Sequence, residues 1–365
     1  MNLRRALLTI LLGTTVLLAA CGPDPQARQV NLPPGFDLQA HMGGRDARPE
    51  QTLPAFAYAL AVGVSTLEMD MVLTADQVPV LHHSNKLSTY LAKNPWGKYL
   101  TVDEQPDIRF TTLEDLKKFD LGTMSPDAPY GYFEAHGKTQ KAIPGTSLAT
   151  LEEVFQLVRD WGNDSVFLSV ETKSAPYPIN PGNPTPQEWV EAFYDLVQKY
   201  NMQDRVMLQS FDWRTLQEMK KVDASIATVA LTANQPEWNL EGDEGDYQWR
   251  TSELTSPWMA GLDLTDFGDS PLRAAHAIQA DVFSTYYKEV TPELIAEAHS
   301  LGMRVVPFTV NDPAIMETMI EMGVDGLITD RPATLRSVLQ QLGVAVPMAD
   351  PAPESKPFFT GVDGP

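Results

Sequence analysis

Glu68 and Asp70 lie two residues apart in an otherwise apolar run, Thr66 to Val72, and the same interval separates Glu171 from Lys173. On a β-strand that interval returns to the same face, so each pair can act on a common target. Three carboxylates converging on one point repel one another unless protons or a cation neutralise them. Oxygen-only ligands select a hard ion, so Glu68, Asp70 and Glu171 point to one divalent cation, Ca2+ or Mg2+ rather than Zn2+. His41 and His83 each end an apolar run beside the acidic cluster, where an imidazole can pass a proton near neutral pH. His82 competes with His83, because adjacent strand residues face opposite ways and only one can enter a site. Gln209 ends a further apolar run in a comparable position.

These residues need a frame. Near-continuous apolar runs at Leu38 to His41, Thr66 to Val72, Val166 to Glu171, Val206 to Ser210, Ile226 to Leu231, Val282 to Tyr286, Val305 to Val310 and Gly326 to Thr329 predict parallel strands covered on both faces. Helix-period segments follow most of them, including Leu53 to Ala61, Pro186 to Tyr200, Pro292 to Leu301 and Pro313 to Met322. Eight such units predict a TIM-type (β/α)8 barrel, with the polar strand ends gathered at its C-terminal face. A ninth run, Val78 to His83, follows the second strand too closely for a crossover and is expected to pair antiparallel. Two segments exceed ordinary loop length, residues 84–146 and 232–261. The first is expected to be a small inserted subdomain at the C-terminal face. The second carries Trp238, Trp249 and Trp258 with an acidic stretch at 241–246, which reads as a solvated loop or a cap over the site.

The quoted residues also carry a family resemblance. His41-Met-Gly-Gly-Arg45, Pro49-Glu50-Gln51-Thr52-Leu53, Glu68-Met69-Asp70, Pro79-Val-Leu-His-His83, Glu171-Thr-Lys173, Gln209-Ser-Phe211, Phe308-Thr-Val-Asn311 and Gly323-Val-Asp-Gly-Leu-Ile-Thr-Asp330 resemble, in order, the glycerophosphodiester phosphodiesterases. The resemblance implies metal-assisted cleavage of a glycerophosphodiester to glycerol 3-phosphate and an alcohol. It implies His41 and His83 as acid and base, and Glu68, Asp70 and Glu171 as metal ligands. Lys173, Arg45, Gln209 and Phe308 would then contact the substrate or its phosphate. It also implies attack by the neighbouring glycerol hydroxyl, so that no Ser or Cys nucleophile is needed. The chain departs from the pattern at Met42, where the family has Arg, at Gln51 for Asn, at Ser84 for Asp and at Phe308 for Trp. With Met42 in place of Arg, Arg45 or Arg48 is the expected substitute. A lysophospholipase D- or sphingomyelinase D-like phosphodiesterase would use the same residues. A lipoprotein that binds phosphodiesters without turnover is the reading from another class.

The 365 residues include 27 Lys and Arg against 48 Asp and Glu, a formal net charge of -21, which argues against a nucleic-acid partner that tracks phosphates. The single cysteine excludes an intramolecular disulfide. Residues 1–20 carry Arg4 and Arg5 before an apolar stretch too short to be a permanent span, and predict a secretory signal. Leu18-Ala19-Ala20-Cys21-Gly22 resembles the bacterial lipobox, which implies acylation at Cys21 and membrane attachment in the cell envelope. Gly22, rather than Asp, does not favour inner-membrane retention, so the outer membrane or the cell surface is expected. Residues 21–35 read as a tether, 36–343 as the barrel and 344–365 as a disordered tail.

Overall fold

The computed structural model describes residues 30–128, 132–176, 184–233 and 256–349. The expected signal, Cys21, most of the tether, most of the 232–261 segment and the end of the tail lie outside these residues. Among the described residues, no helix is long and apolar enough to cross a membrane.

Nine strands form one sheet: β1 (Asp37–Ala40), β2 (Thr66–Leu73), β3 (Pro79–Leu81), β4 (Phe167–Thr172), β5 (Val206–Ser210), β6 (Ala227–Thr232), β7 (Val282–Thr285), β8 (Arg304–Val305) and β9 (Gly326–Thr329). Their order is β8-β7-β6-β5-β4-β2-β1-β9, with every pair along this path parallel and β3 antiparallel to β2. The β8 strand is shorter than the apolar run Val305 to Val310 implies. Pro307 interrupts it, because proline has no N–H to give to a ladder. Separate bonds nevertheless bridge the seam: Asp325 N–H to the Val305 carbonyl at 2.9 Å, and Ile328 N–H to the Pro307 carbonyl at 3.0 Å. The result is a TIM-type barrel of eight parallel strands, nearly closed.

Side-chain alternation divides the strand residues between two environments. Leu67, Met69, Leu168, Val170, Leu208 and Leu327 face the helices and join the main hydrophobic cluster. Phe167, Met207, Ala227, Val229, Val282 and Ile328 fill the barrel interior, where Val30 and Leu32 pack against them. The inward positions further along the same strands are polar, and they include Glu68, Asp70, Glu171 and Gln209. Helix boundaries follow ordinary capping chemistry. Thr52 caps Leu53–Val62 by accepting from the Ala55 N–H, and Gly63 ends that helix in the left-handed region at φ 80. Helices Pro186–Tyr200, Pro271–Ala277, Pro292–Ser300, Pro313–Met322 and Pro332–Gln341 all place proline in the first turn.

The long segment after β3 packs Leu87, Ala92, Leu100, Ile108, Leu116 and Leu121 into the main cluster. It also forms a small cluster of its own, Leu91, Met124 and Ala128, flanked by Tyr90 and Tyr132. Through Tyr132 it reaches the mouth of the barrel.

The junction of β1 and β9 leaves no room for a side chain at Gly326, where an added Cβ would lie 2.5 Å from the Asp37 carbonyl oxygen. Gly326→Ala is expected to cost about 1–3 kcal/mol by forcing the two backbones apart. Gly162→Ala, at φ 78 with no atom within 4 Å of the added carbon, should cost only about 1–2 kcal/mol from the left-handed backbone. Urea unfolding with a β1–β9 hydrogen-exchange readout separates them, since only the first should lose protection at Asp37, whose N–H donates to the Asp325 carbonyl across this junction at 2.8 Å. Equal protection in both variants would refute the steric account.

Candidate active site

Strand register builds the acidic centre. Asp70 on β2 pairs laterally with Glu171 on β4, and Glu171 with Gln209 on β5, so three inward polar side chains share one level of the barrel. Glu68 lies one inward position earlier on β2. Ligand oxygens of Glu68, Asp70 and Glu171 lie within 4.8 Å of one another, and all three residues are buried. Neighbours fix each carboxylate by one oxygen or both. Gln209 Nε2 donates to Glu68 Oε1 at 2.6 Å, and the Met42 N–H donates to Glu68 Oε2 at 2.9 Å. Gln51 Nε2 donates to Asp70 Oδ2 at 2.5 Å, while Lys173 Nζ stands 2.9 Å from Glu171 Oε1 and 3.9 Å from Asp70 Oδ1.

One ammonium cannot balance three buried carboxylates. Burial pushes Asp70 up to about 6 despite Lys173, and Glu171 up to about 8, with Asp70 adding to the effect. Glu68 is raised as well, again by burial first. A bound cation would reverse this cost, and the oxygen donor set suits a hard divalent ion.

The turn after β1 brings the first histidine to this centre. His41–Gly43 form a single 3-10 turn in which Met42, at φ 51, takes a left-handed backbone and aims its N–H at Glu68. Gly43, at φ 81, allows the close approach of the following helix, since a Cβ there would sit 2.8 Å from that of Ala55. His41 Nδ1 meets Asp330 Oδ1 at 2.6 Å, and its Nε2 lies 4.0 Å from Glu68 Oε2. Asp330, just past β9, also accepts from Arg45 Nε at 2.7 Å and from Asn311 Nδ2 at 2.6 Å. Burial opposes ionisation of Asp330, but Arg45 and His41 outweigh it and hold the carboxyl far below the usual range. His41 is pushed in the opposite direction: burial lowers it, but Asp330 and Glu68 together raise it above an ordinary imidazole.

His83 is the member of the histidine pair that lines the cavity. The positive charge of Lys173, with desolvation second, holds its imidazole well below the ordinary range. His82 is buried and turned away, its Nδ1 against the Ser84 carbonyl at 2.7 Å. Arg45 reaches the cavity, whereas Arg48 stacks on Tyr58 at 4.9 Å and donates to the Ala47 carbonyl. The cavity has a volume of about 820 Å3. Its far wall, beyond the charged groups, is aromatic: Phe211 and Phe308 meet edge to face at 5.8 Å, with Tyr286 and Tyr287 beside them.

Comparison with known proteins now bears on this geometry. The profile of the Glycerophosphoryl diester phosphodiesterase family matches residues 41–334. The chain belongs to that family. A "Glycerophosphodiester phosphodiesterase" of Caldanaerobacter subterraneus subsp. tengcongensis is 26% identical over 304 residues, which cover 83% of this chain and 98% of the relative. One of Bacillus subtilis (strain 168) is 24% identical over 340 residues, covering 93% and 99%. A crystal structure of a candidate glycerophosphoryl diester phosphodiesterase from Silicibacter pomeroyi DSS-3 superposes with a TM-score of 0.72 at 28% identity, covering 88% of this chain and 98% of that one. The structure of an Oleispira antarctica phosphodiesterase in complex with the product sn-glycerol-3-phosphate gives 0.58 at 18% identity, covering 84% and 97%.

This glycerophosphodiester phosphodiesterase is therefore an enzyme of the phosphoric diester hydrolase class. One cavity gathers His41, Arg45, Glu68, Asp70, His83, Glu171, Lys173, Gln209 and Phe308. Sequence reasoning gave no role to Asp330, Asn311, Tyr132 or His136. Tyr132 donates a short hydrogen bond to Glu50 and lies 5.6 Å from the Arg45 guanidinium carbon. His136 is buried with Nε2 3.8 Å from Asp330 Oδ2. Asp330 and Asn311 could have been found as polar residues ending apolar runs, the signal that singled out His41. Tyr132 and His136 had no such signal. Trp258 is buried, while Trp238, Trp249 and 241–246 lie outside the described residues.

Asp330→Asn should destabilise the fold by about 3–5 kcal/mol, because it leaves Arg45 and a protonated His41 buried without their counter-charge. The native carboxyl is depressed, so its contribution is complete above an unfolded-state value of about 4 and is lost as the pH falls further. Urea unfolding from pH 6 down to pH 3 should show this acid loss in the native chain and a flatter profile in the variant. Parallel profiles would refute the assignment.

Proposed function

We propose that the protein hydrolyses glycerophosphodiesters to glycerol 3-phosphate and an alcohol, using one divalent cation and a histidine pair. The observation that carries this reading is a single cavity holding an oxygen-only triad and two imidazoles with opposite neighbours, a carboxylate for His41 and an ammonium for His83. Glu68, Asp70 and Glu171 would hold the cation, Ca2+ or Mg2+, which supplies Lewis-acid neutralisation of the phosphoryl oxygens. Lys173 and Arg45, both in the cavity lining, add fixed positive charge. Asp330 takes His41 Nδ1, leaving Nε2 facing the centre, and its charge favours the imidazolium. His41 is thus the acid that protonates the departing alkoxide. His83, kept neutral by Lys173, is the base that takes the proton of the attacking glycerol hydroxyl. Water then opens the resulting cyclic phosphate to glycerol 3-phosphate, with the two imidazoles exchanging roles. The product named for the Oleispira antarctica structure supports the choice of substrate class. Gln209, bonded to Glu68, orients the triad as well as lining the cavity.

Removal of either imidazole should lower kcat by about 10²–10⁴-fold, for His41→Ala and for His83→Ala. His82→Ala should change kcat little. Alcohol release from glycerophosphocholine, glycerophosphoethanolamine and glycerophosphoglycerol, before and after chelation, is the measurement. Release unaffected by chelator, or turnover confined to lysophosphatidylcholine, would refute this reading.

The cation has a second readout that needs no substrate. Asp70 and Glu171 ionise less readily in the fold than in the unfolded chain, so without metal they reduce stability as the pH rises from about 4 toward 8. Added Ca2+ or Mg2+ should therefore raise the Tm, and more at pH 8 than at pH 5. An equal rise at both, or none, would count against the triad as the metal site.

Residues 1–20 complete the proposal as an export signal, followed by acylation at Cys21, on the strength of Leu18-Ala19-Ala20-Cys21-Gly22. Mass spectrometry of the membrane-extracted protein should find a diacylated Cys21 at the mature N-terminus. A mature chain beginning elsewhere would refute it.

A further inference from the structure

Away from the cavity, the most exposed aromatic side chain among the large hydrophobics that the described residues leave in water is Trp96, at 82%. It occupies the tip of a hairpin in the segment after β3. Lys93 pairs antiparallel with Tyr99, and the Asn94 N–H donates to the Lys98 carbonyl at 2.8 Å. The tip is held in shape: Asn94 Oδ1 accepts from the N–H groups of Trp96 at 3.1 Å and Lys98 at 3.0 Å. Gly97, at φ 78, closes the turn. The stem is rooted by buried Leu91, Ala92 and Leu100. The fold thus presents this indole outward on a fixed support.

The stretch of chain that forms the hairpin is basic, although Asp120 is bridged to Lys93 through the backbone and the Glu104 carboxylate feels the charge of Lys98. Residues 86–100 contain Lys86, Lys93 and Lys98 and no acid, in a protein whose acids outnumber its bases 48 to 27. Lys86 and Lys98 are exposed, and Lys93 lays its ammonium 4.9 Å from the centre of the Tyr99 ring.

We propose that this hairpin is a docking surface for a bilayer containing anionic lipid, with Trp96 entering the head-group region and the lysines facing lipid phosphates. Indole favours that interface because it joins an apolar body to one N–H donor. Basic residues near an anionic leaflet add attraction that decays within a Debye length, about 8 Å in physiological salt. The acidic remainder of the protein is screened over that range. A second copy of the chain is the weaker fit, because a stable interface buries about 800 Å2 per partner and one aromatic side chain supplies only about 150–250 Å2. Tyr90, three residues before Lys93, packs on Tyr132 at a centroid distance of 4.7 Å, and Tyr132 lines the cavity. The six-residue step from Tyr90 to Trp96 spans at most about 20 Å, so docking sets the cavity mouth beside the bilayer. Neither the reaction nor acylation at Cys21 is needed for this contact.

The test uses the chain from Gly22 onward, which retains every described element and lacks the lipid-bearing cysteine. Its binding is measured by flotation with phosphatidylcholine vesicles, with and without phosphatidylglycerol. Binding should require the anionic lipid and weaken with added salt. Trp96→Ala should lower the partition coefficient roughly tenfold or more. Lys93→Gln with Lys98→Gln should lower it by about fivefold per lysine. Thermal unfolding should be unchanged by Trp96→Ala, since the indole packs on little. No vesicle binding by the parent chain, equal binding by Trp96→Ala, or indifference to anionic lipid would each overturn the proposal. So would a Trp96-dependent dimer in sedimentation without vesicle binding.

Discussion

Three buried carboxylates facing a single ammonium are the constraint to which the upper half of the barrel answers. Glu68, Asp70 and Glu171 lie within reach of one ion; the Lys173 ammonium compensates Asp70 and Glu171, and the His41 imidazole lies 4.0 Å from Glu68. Burial at that level makes the ionised state costly, as the raised Asp70 and Glu171 show. The barrel tolerates the cost because Gln209, Gln51 and the Met42 N–H hold the oxygens in place. An apolar layer from Phe167, Met207 and Val282 lies beneath them. A site that binds a cation and then an anionic diester needs this imbalance. The net charge of -21 is no obstacle to such a substrate when the sign is reversed locally.

Across His41 from the triad, Asp330 has the reverse situation, with a guanidinium, an imidazole and an amide converging on one carboxylate. That network ties the turn after β1 to the end of β9, the two strands whose backbones approach most closely at Gly326. The same network orients Arg45, the arginine that reaches the cavity in a chain with Met42 beside its first histidine. The electrostatic division between the two histidines thus follows from barrel closure, since Asp330 reaches His41 only because β9 returns to β1.

Much of the frame was legible from residue pattern. Strands buried on both faces read as apolar runs, so Val206–Ser210 and Gly326–Thr329 match their expected bounds and the antiparallel β3 follows from its short link. The β8 strand was overextended because its apolar pattern continues past Pro307, while hydrogen bonding stops there. The polar strand ends were legible for the same reason as the strands: a charged residue inside an apolar run contradicts burial unless it has work to do. Contacts made by the long segment after β3 were not legible. Tyr132 and His136 lie in a stretch without periodicity, and their approach to Arg45 and Asp330 depends on how that segment packs over the barrel.

The sequence by itself determined which residues could meet a cation, because the period of a strand places Glu68 and Asp70 on one face and Glu171 and Lys173 on another that repeats it. It also determined the barrel, since alternating apolar runs and capped helices leave few other ways to bury both faces of parallel strands. Only the tertiary structure decided which groups neighbour each imidazole. Arg45 instead of Arg48 turns inward, and Asp330 binds the histidine 289 positions before it. Those outcomes depend on through-space distance, and the charge felt by a buried ring is set by whatever the fold places within a few ångströms of it, wherever it lies along the chain.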